Sequence, residues 1–172
     1  MELQEAIDLI RHPDLMVTNK PAVWADLGCG SGLFSYALAT LLPQHSVIHA
    51  VDKAILPRHE QRDTVTIQFH HNDFVKDDLG LPALDGILMA NSLHYVKDQL
   101  PFLTKAKQAM KPHAPFIIVE YNITKSNTWV PYPVNFQSLQ KLFTSIGYTS
   151  IEKTHERPSR FHTEQMYAAF IR

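Results

Sequence analysis

The sequence predicts one doubly wound α/β domain with a mostly parallel sheet, and three observations predict it. Short apolar runs alternate with segments of helical period, three glycines follow the first run at alternate positions, and the last runs are spaced like a hairpin. Strands covered on both faces read as unbroken apolar runs, as DGILMA and PFIIVE do, which is the mark of a parallel sheet between helices. The 172 residues, 45% of them hydrophobic, are enough for one sizeable core.

Residues 2–11, ELQEAIDLIR, place Leu3, Ile7 and Ile10 at three- and four-residue steps, an amphipathic helix that Pro13 ends. Residues 1–22 read as an N-terminal helix and lid segment ahead of the first strand. Five candidate parallel strands follow in AVWADLG, SVIHAVD, TVTIQFHH, LDGILMAN and APFIIVEYN. Helices are expected at 33–42, 98–110 and 135–147, the last with Gly147 as its C-cap. Between the second and third runs, KAILPRHEQRD carries Pro57 and many charges, so a short helical turn and loop is expected there. YTSIEKTHE and QMYAAFIR, separated by RPSRFHT, suit two strands joined as a hairpin with the last antiparallel. The segment 122–134, NITKSNTWVPYPV, has two prolines and two large aromatics and is expected to be a loop folded over something.

In an open parallel sheet the ligand binds outside the carboxyl ends of the strands, beside the first strand. Gly28, Gly30 and Gly32 stand at that point, where a tight turn and close approach of a ligand to the main chain both favour a residue without Cβ. A dinucleotide fingerprint G-x-G-x-x-G would need glycine at Leu33, and the Gly-Lys-Ser/Thr of a phosphate loop is absent. Asp52 ends the second run beside this turn, where a carboxylate can accept from a vicinal diol. In HHNDF, Asp73 beside Phe74 can accept from an exocyclic amine while the ring covers a base. The same Asn-Asp pair also suits a plain turn.

ADLGCGSG, followed 20 residues after its last glycine by the acid of HAVD, resembles motif I and the next acidic position of class I S-adenosylmethionine-dependent methyltransferases. The likeness extends over nearly the whole chain. It implies a Rossmann-like sheet of seven strands in the order 3-2-1-4-5-7-6 with an antiparallel last strand, and S-adenosyl-L-methionine as cofactor. The resemblance places Asp26, Gly28, Cys29, Gly30, Gly32, Asp52, Lys53, Asp73, Phe74 and Asn91 around that cofactor. In it Asp26 orients the methionine end, Asp52 binds the ribose hydroxyls, Asp73 binds adenine, and Asn91 lies near the sulfonium. His94 stands either as a general base or as a pocket wall. Tyr95, Tyr121, Trp129, Tyr132 and Arg160 are candidates for holding the methyl acceptor, and Arg157 and His162 could join Arg160 if it is acidic.

The formal net charge of -1 and the lack of like-charge runs argue against a grip on long nucleic acid or an acidic membrane. After the fourth run NSLH replaces the N/D-P-P-Y/F of base-methylating enzymes, so a small-molecule acceptor is expected, on a monomer or homodimer. The ten histidines show no metal-ligand spacing. Cys29 is alone and cannot form an internal disulfide, and no apolar stretch approaches the ~20 residues of a membrane span, so a soluble cytoplasmic protein is expected. Two other readings stand beside methyl transfer: a non-catalytic cofactor- or partner-binding member of the same fold, and a nicotinamide-dependent oxidoreductase.

Overall fold

The computed structural model describes residues 1–17, 19–54, 58–158 and 165–172. Its strands are β1 (Val23–Leu27), β2 (Val47–Asp52), β3 (Arg58–Arg62), β4 (Val65–His71), β5 (Gly86–Ala90), β6 (Phe116–Tyr121), β7 (Ile151–Pro158) and β8 (Gln165–Ile171). They form one sheet in the order β3-β4-β2-β1-β5-β6-β8-β7. The five strands from β4 to β6 are parallel, β8 runs antiparallel to β6, and β7 pairs antiparallel with β8. With β3 set aside, this is the order and the antiparallel ending expected from the sequence.

β3 corrects two expectations at once. Among the described residues the sheet has eight strands, and Arg58–Arg62 is an antiparallel edge strand where a helical turn and loop were expected. Arg62 faces Val65 across a connection through Asp63, whose φ of 52° puts it in the left-handed region a tight hairpin needs. RHEQR has no apolar alternation to show its pairing. The Arg58 guanidinium instead lies 3.7 Å over the Phe69 ring and that of Arg62 lies 4.8 Å over Tyr36. Glu60 accepts from both Arg58 Nε and the Tyr36 hydroxyl. Charged side chains on an edge also discourage pairing with a further strand.

Among the described residues four α-helices cover the sheet: α1 (Leu3–Ile10), α2 (Leu33–Ala39), α3 (Gln99–Gln108) and α4 (Phe136–Ser145). α1 starts with a capping box, Glu5 accepting the Glu2 N–H at 2.7 Å, and buries Ala6, Ile7, Leu9 and Ile10 in a core shared with α2, Ile48, Ile67 and Phe170. On the other face Leu103 of α3 and Leu139 and Phe143 of α4 pack on Ile87, Phe116, Ile118 and Tyr167. Asn135 caps α4 by accepting the Ser138 N–H, and Gly147, at φ 88°, closes it. Because β2 and β5 flank β1 on opposite sides, the carboxyl ends of β1, β2, β4 and β5 open onto one cleft at the point where the strand order reverses.

Candidate active site

The turn from β1 into α2 is pinned to β2. Gly28 and Cys29 both donate their N–H to the Val51 carbonyl, at 2.8 and 3.1 Å, and Gly30 donates to Asp52 Oδ2 at 2.9 Å. The turn's amides are thus largely engaged with the neighbouring strand, which holds the bend in a fixed place against the acid. Gly28 has φ 81°, and a Cβ on it would meet Ser92 Cβ at 2.4 Å. That proximity brings the glycine turn into contact with the segment after β5. Gly32, at φ 92°, precedes α2 and leaves no room for a Cβ against the Phe69 ring.

A cleft of about 380 Å³ lies over this turn, lined by Gly28, Asp52, Lys53, Asp73, Phe74, Val75, Lys76, Asn91, Ser92 and Tyr95. Six of the ten residues assigned to the cofactor from the sequence thus share one cavity. Asp52 also accepts the Ala54 N–H through Oδ1 at 2.8 Å, so each of its oxygens is aimed by a backbone amide. Asp73 accepts the Val75 N–H at 3.1 Å and lies 3.6 Å from Lys76 Nζ, so it shapes its own turn while lining the cavity. Phe74 is braced edge-on by Phe102, with centroids 5.8 Å apart. A larger cavity, about 520 Å³, opens at the amino ends of the strands beside Lys20, Asp85 and Lys111. It is remote from the glycine turn, and the topology favours the cleft at the carboxyl ends.

Asp26, Cys29, Gly30 and Gly32 do not line the cleft. Asp26 is fully buried, accepts the Ser35 hydroxyl at 2.6 Å, and is pushed up to about 7 chiefly by burial. Burial likewise pushes the Cys29 thiol up, the opposite of an activated nucleophile. Among the described residues, the buried side-chain atoms without a hydrogen-bond partner are Asp26 Oδ1 and Asn91 Oδ1. Asn91 also has φ 53° and lines the cleft. An unsatisfied buried acceptor costs about 1–3 kcal/mol, and strained backbone collects where a ligand compensates for it.

His94 lies in a short 3-10 turn, Leu93–Tyr95, after β5 and is 2% exposed. Glu120, at the end of β6 and 0% exposed, accepts the His94 N–H at 3.1 Å through Oε1 and contacts Nδ1 at 2.6 Å through Oε2. Sequence reasoning missed Glu120, although a lone carboxylate in the apolar run APFIIVEYN was a signal. Ser92, Val75 and Lys76 were also missed, because they enter the cavity by position rather than by chemical type.

Of the acceptor-side candidates, Tyr95 lines the cleft and is 53% exposed. Tyr121 stands beside His94, with ring centroids 6.1 Å apart. The segment 122–134 buries Ile123, Val130 and Val134 but leaves Trp129 74% exposed. It is tied to the 3-10 turn by the Tyr132 N–H, which donates to the His94 carbonyl at 3.0 Å. Arg157 pairs with Glu5 at 2.7 Å and links β7 to α1. Arg160 and His162 lie outside the described residues. No group of three metal-ligating side chains occurs among the described residues, and no helix there is long and apolar enough to cross a membrane.

The methyltransferase-domain family matches residues 25–116, more than half of the chain. The structure is similar to 1,6-didemethyltoxoflavin-N1-methyltransferase of Burkholderia thailandensis, solved with 1,6-didemethyltoxoflavin and S-adenosylhomocysteine. The two share 18% identity and a TM-score of 0.72 over 99% of this chain and 77% of that one. Magnesium protoporphyrin IX methyltransferase of Synechocystis, solved with S-adenosylhomocysteine, gives a TM-score of 0.68 at 13% identity over 98% and 82%. Human N-acetylserotonin methyltransferase gives 0.65 at 16% identity, with 98% of this chain covering 51% of that one. At these identities the likeness establishes the fold. No curated protein matches the sequence significantly.

Proposed function

Because the chain belongs to the methyltransferase-domain family, we propose that it transfers a methyl group from S-adenosyl-L-methionine to an O, N or C acceptor on a small molecule. The observation that carries this reading is the cleft itself. It joins a glycine floor without room for a Cβ, two carboxylates at successive strand ends, an aromatic ring, and Asn91 Oδ1 left without a partner. These residues fit the cofactor: Asp52 accepts from the ribose diol, Asp73 from the adenine amine with Phe74 against the ring, and Asn91 Oδ1 gains a donor. Gly28 offers its bare backbone to the amino-acid end, with Asp26 buried behind the turn against Ser35.

When bound, the cofactor supplies a methyl on a sulfonium whose sulfur departs neutral. The chain's part is mainly to hold the acceptor in line with that methyl, a source of rate that needs no strong base. Tyr95 flanks the acceptor side, and His94, buried beside both Tyr95 and Tyr121, is the candidate to take an acceptor's proton. Similar structures solved with S-adenosylhomocysteine or small-molecule substrates support the reading.

Calorimetry with S-adenosylhomocysteine and with NADH tests it. Micromolar binding of the first and none of the second is expected. Asp52→Ala should weaken S-adenosylhomocysteine by about 100-fold, since two charge-assisted hydrogen bonds at roughly 1.5 kcal/mol each are lost. Binding of NADH alone would overturn the proposal, and wild-type affinity in Asp52→Ala would remove that residue from the site.

A further inference from the structure

We infer that Glu120 is a positioning residue that fixes His94 as the Nδ1–H tautomer, so that Nε2 takes a proton from an O–H or N–H methyl acceptor. This rests on the methyl-transfer reading and narrows it, because an acceptor that carries no removable proton would gain nothing from such a base.

His94 is held at three points. Its N–H donates to Glu120 Oε1 at 3.1 Å, its carbonyl accepts the Tyr132 N–H at 3.0 Å, and its Nδ1 lies 2.6 Å from Glu120 Oε2. Backbone and ring are therefore both fixed, with Nε2 as the nitrogen turned away from the carboxylate. The ring stands beside Tyr95, with centroids 4.4 Å apart, and Asn91, Ser92 and Tyr95 of the same segment line the cleft. A fully buried carboxylate is expensive unless it is paired, and both oxygens of Glu120 are spent on this one residue. Burial first, and then the Glu120 carboxylate, push the Tyr121 and Tyr167 hydroxyls above their usual range, so both stay proton donors rather than competing bases. Tyr167 already donates to the Val134 carbonyl at 2.8 Å.

An ionised carboxylate only accepts, so contact with Oε2 obliges Nδ1 to carry hydrogen. During transfer the acceptor's proton passes to Nε2, its lone pair forms the new bond to the methyl carbon, and the carbon–sulfur bond breaks with its electron pair going to sulfur. The products are the methylated acceptor, a neutral thioether, and an imidazolium held against Glu120 until it returns the proton to solvent.

Glu120→Gln separates positioning from simple packing. The amide oxygen must keep the His94 N–H, which turns the NH2 toward Nδ1 and makes Nδ1 an acceptor, so the ring proton moves to Nε2. The readout is nitrogen-15 NMR of the full-length chain with labelled histidine at pH 7.5. The wild type is expected to show Nδ1–H with unprotonated Nε2, and Glu120→Gln the reverse. With S-adenosylmethionine and a panel of hydroxyl- and amine-bearing metabolites, the variant should lose about 100-fold in kcat or more, with S-adenosylhomocysteine affinity kept. A wild-type His94 that carries hydrogen on Nε2 overturns the inference even if the variant fails to fold. So does a variant with the wild-type tautomer or wild-type kcat. Absence of S-adenosylhomocysteine binding to the wild type would instead overturn the methyl-transfer reading, a failure the tautomer measurement does not share.

Discussion

Replacing Gly28 with alanine tests whether the glycine turn is bare because something already presses on it. The added Cβ would meet Ser92 Cβ at 2.4 Å and both Ser92 Oγ and Phe74 Cε1 at 3.1 Å, on a residue with φ 81°. Left-handed backbone costs about 1–2 kcal/mol for a residue with a Cβ, and overpacking about 1–3 kcal/mol. The stiffer unfolded chain returns about 0.4–1 kcal/mol. The net loss is about 3 kcal/mol, or roughly 6–12 °C of melting temperature for a chain of this size. Gly30 supplies the control, because it has φ 53° but nothing within 4 Å of where an alanine methyl would stand. Gly30→Ala should therefore cost only about 1 kcal/mol of backbone strain, nearly offset through the unfolded state. Scanning calorimetry of both variants, with and without S-adenosylhomocysteine, should show Gly28→Ala melting well below Gly30→Ala and gaining no stability from the ligand. If Gly28→Ala melts at the wild-type temperature, the close approach of the turn to Ser92 is wrong. If the two fall equally, backbone strain and not contact governs the site.

Asp26 should make the fold less stable as pH rises. Its folded value of about 7 lies above the ordinary 3.8, so the native state holds a proton the unfolded chain releases. Stability is lost between about pH 4 and 7, by up to about 4 kcal/mol. Urea unfolding of wild type and Asp26→Asn at pH 5 and 8 checks this, and an equal pH dependence in both would refute it. Trp129→Ala should move the melting temperature by less than about 2 °C, since exposed sites contribute within about 0.5 kcal/mol. It should also raise the acceptor KM with kcat kept; a large fall in melting temperature would show the ring to be packed.

The parallel core was legible because its strands are buried on both faces and so read as unbroken apolar runs, DGILMA and PFIIVE among them. The glycine turn and the acids at 52 and 73 were legible because chain order alone puts them at strand ends. β3 was not. Its packing is made by guanidinium faces on Phe69 and Tyr36, and hydrophobic periodicity does not register that chemistry. His94 could be singled out by type, yet its partner lies 26 residues away and becomes a neighbour only because β5 and β6 are paired. Likewise Arg157, read as a candidate for an acidic acceptor, is occupied by Glu5 across 152 positions of sequence, a pairing no local pattern reveals.

The two strand-end acids arrive at the cleft already committed to backbone amides, and this bears on how a ligand would be selected. Asp52 uses one lone pair on each oxygen for the N–H groups of Gly30 and Ala54, and Asp73 uses one for Val75. A carboxylate offers about four acceptor sites, so a diol or an exocyclic amine can be added without breaking those bonds. The amides fix the direction of the remaining lone pairs, and the rotamer entropy that a free aspartate would lose on binding, about 0.5–1.5 kcal/mol for an immobilised side chain, has been lost on folding. Position 30 acts here through its backbone N–H, which aims Asp52, and its φ of 53° rather than any lack of room favours glycine there. Bare backbone at Gly28 provides the space, and the turn between them couples the two, so that the same bend which opens the floor also orients the acid at its rim.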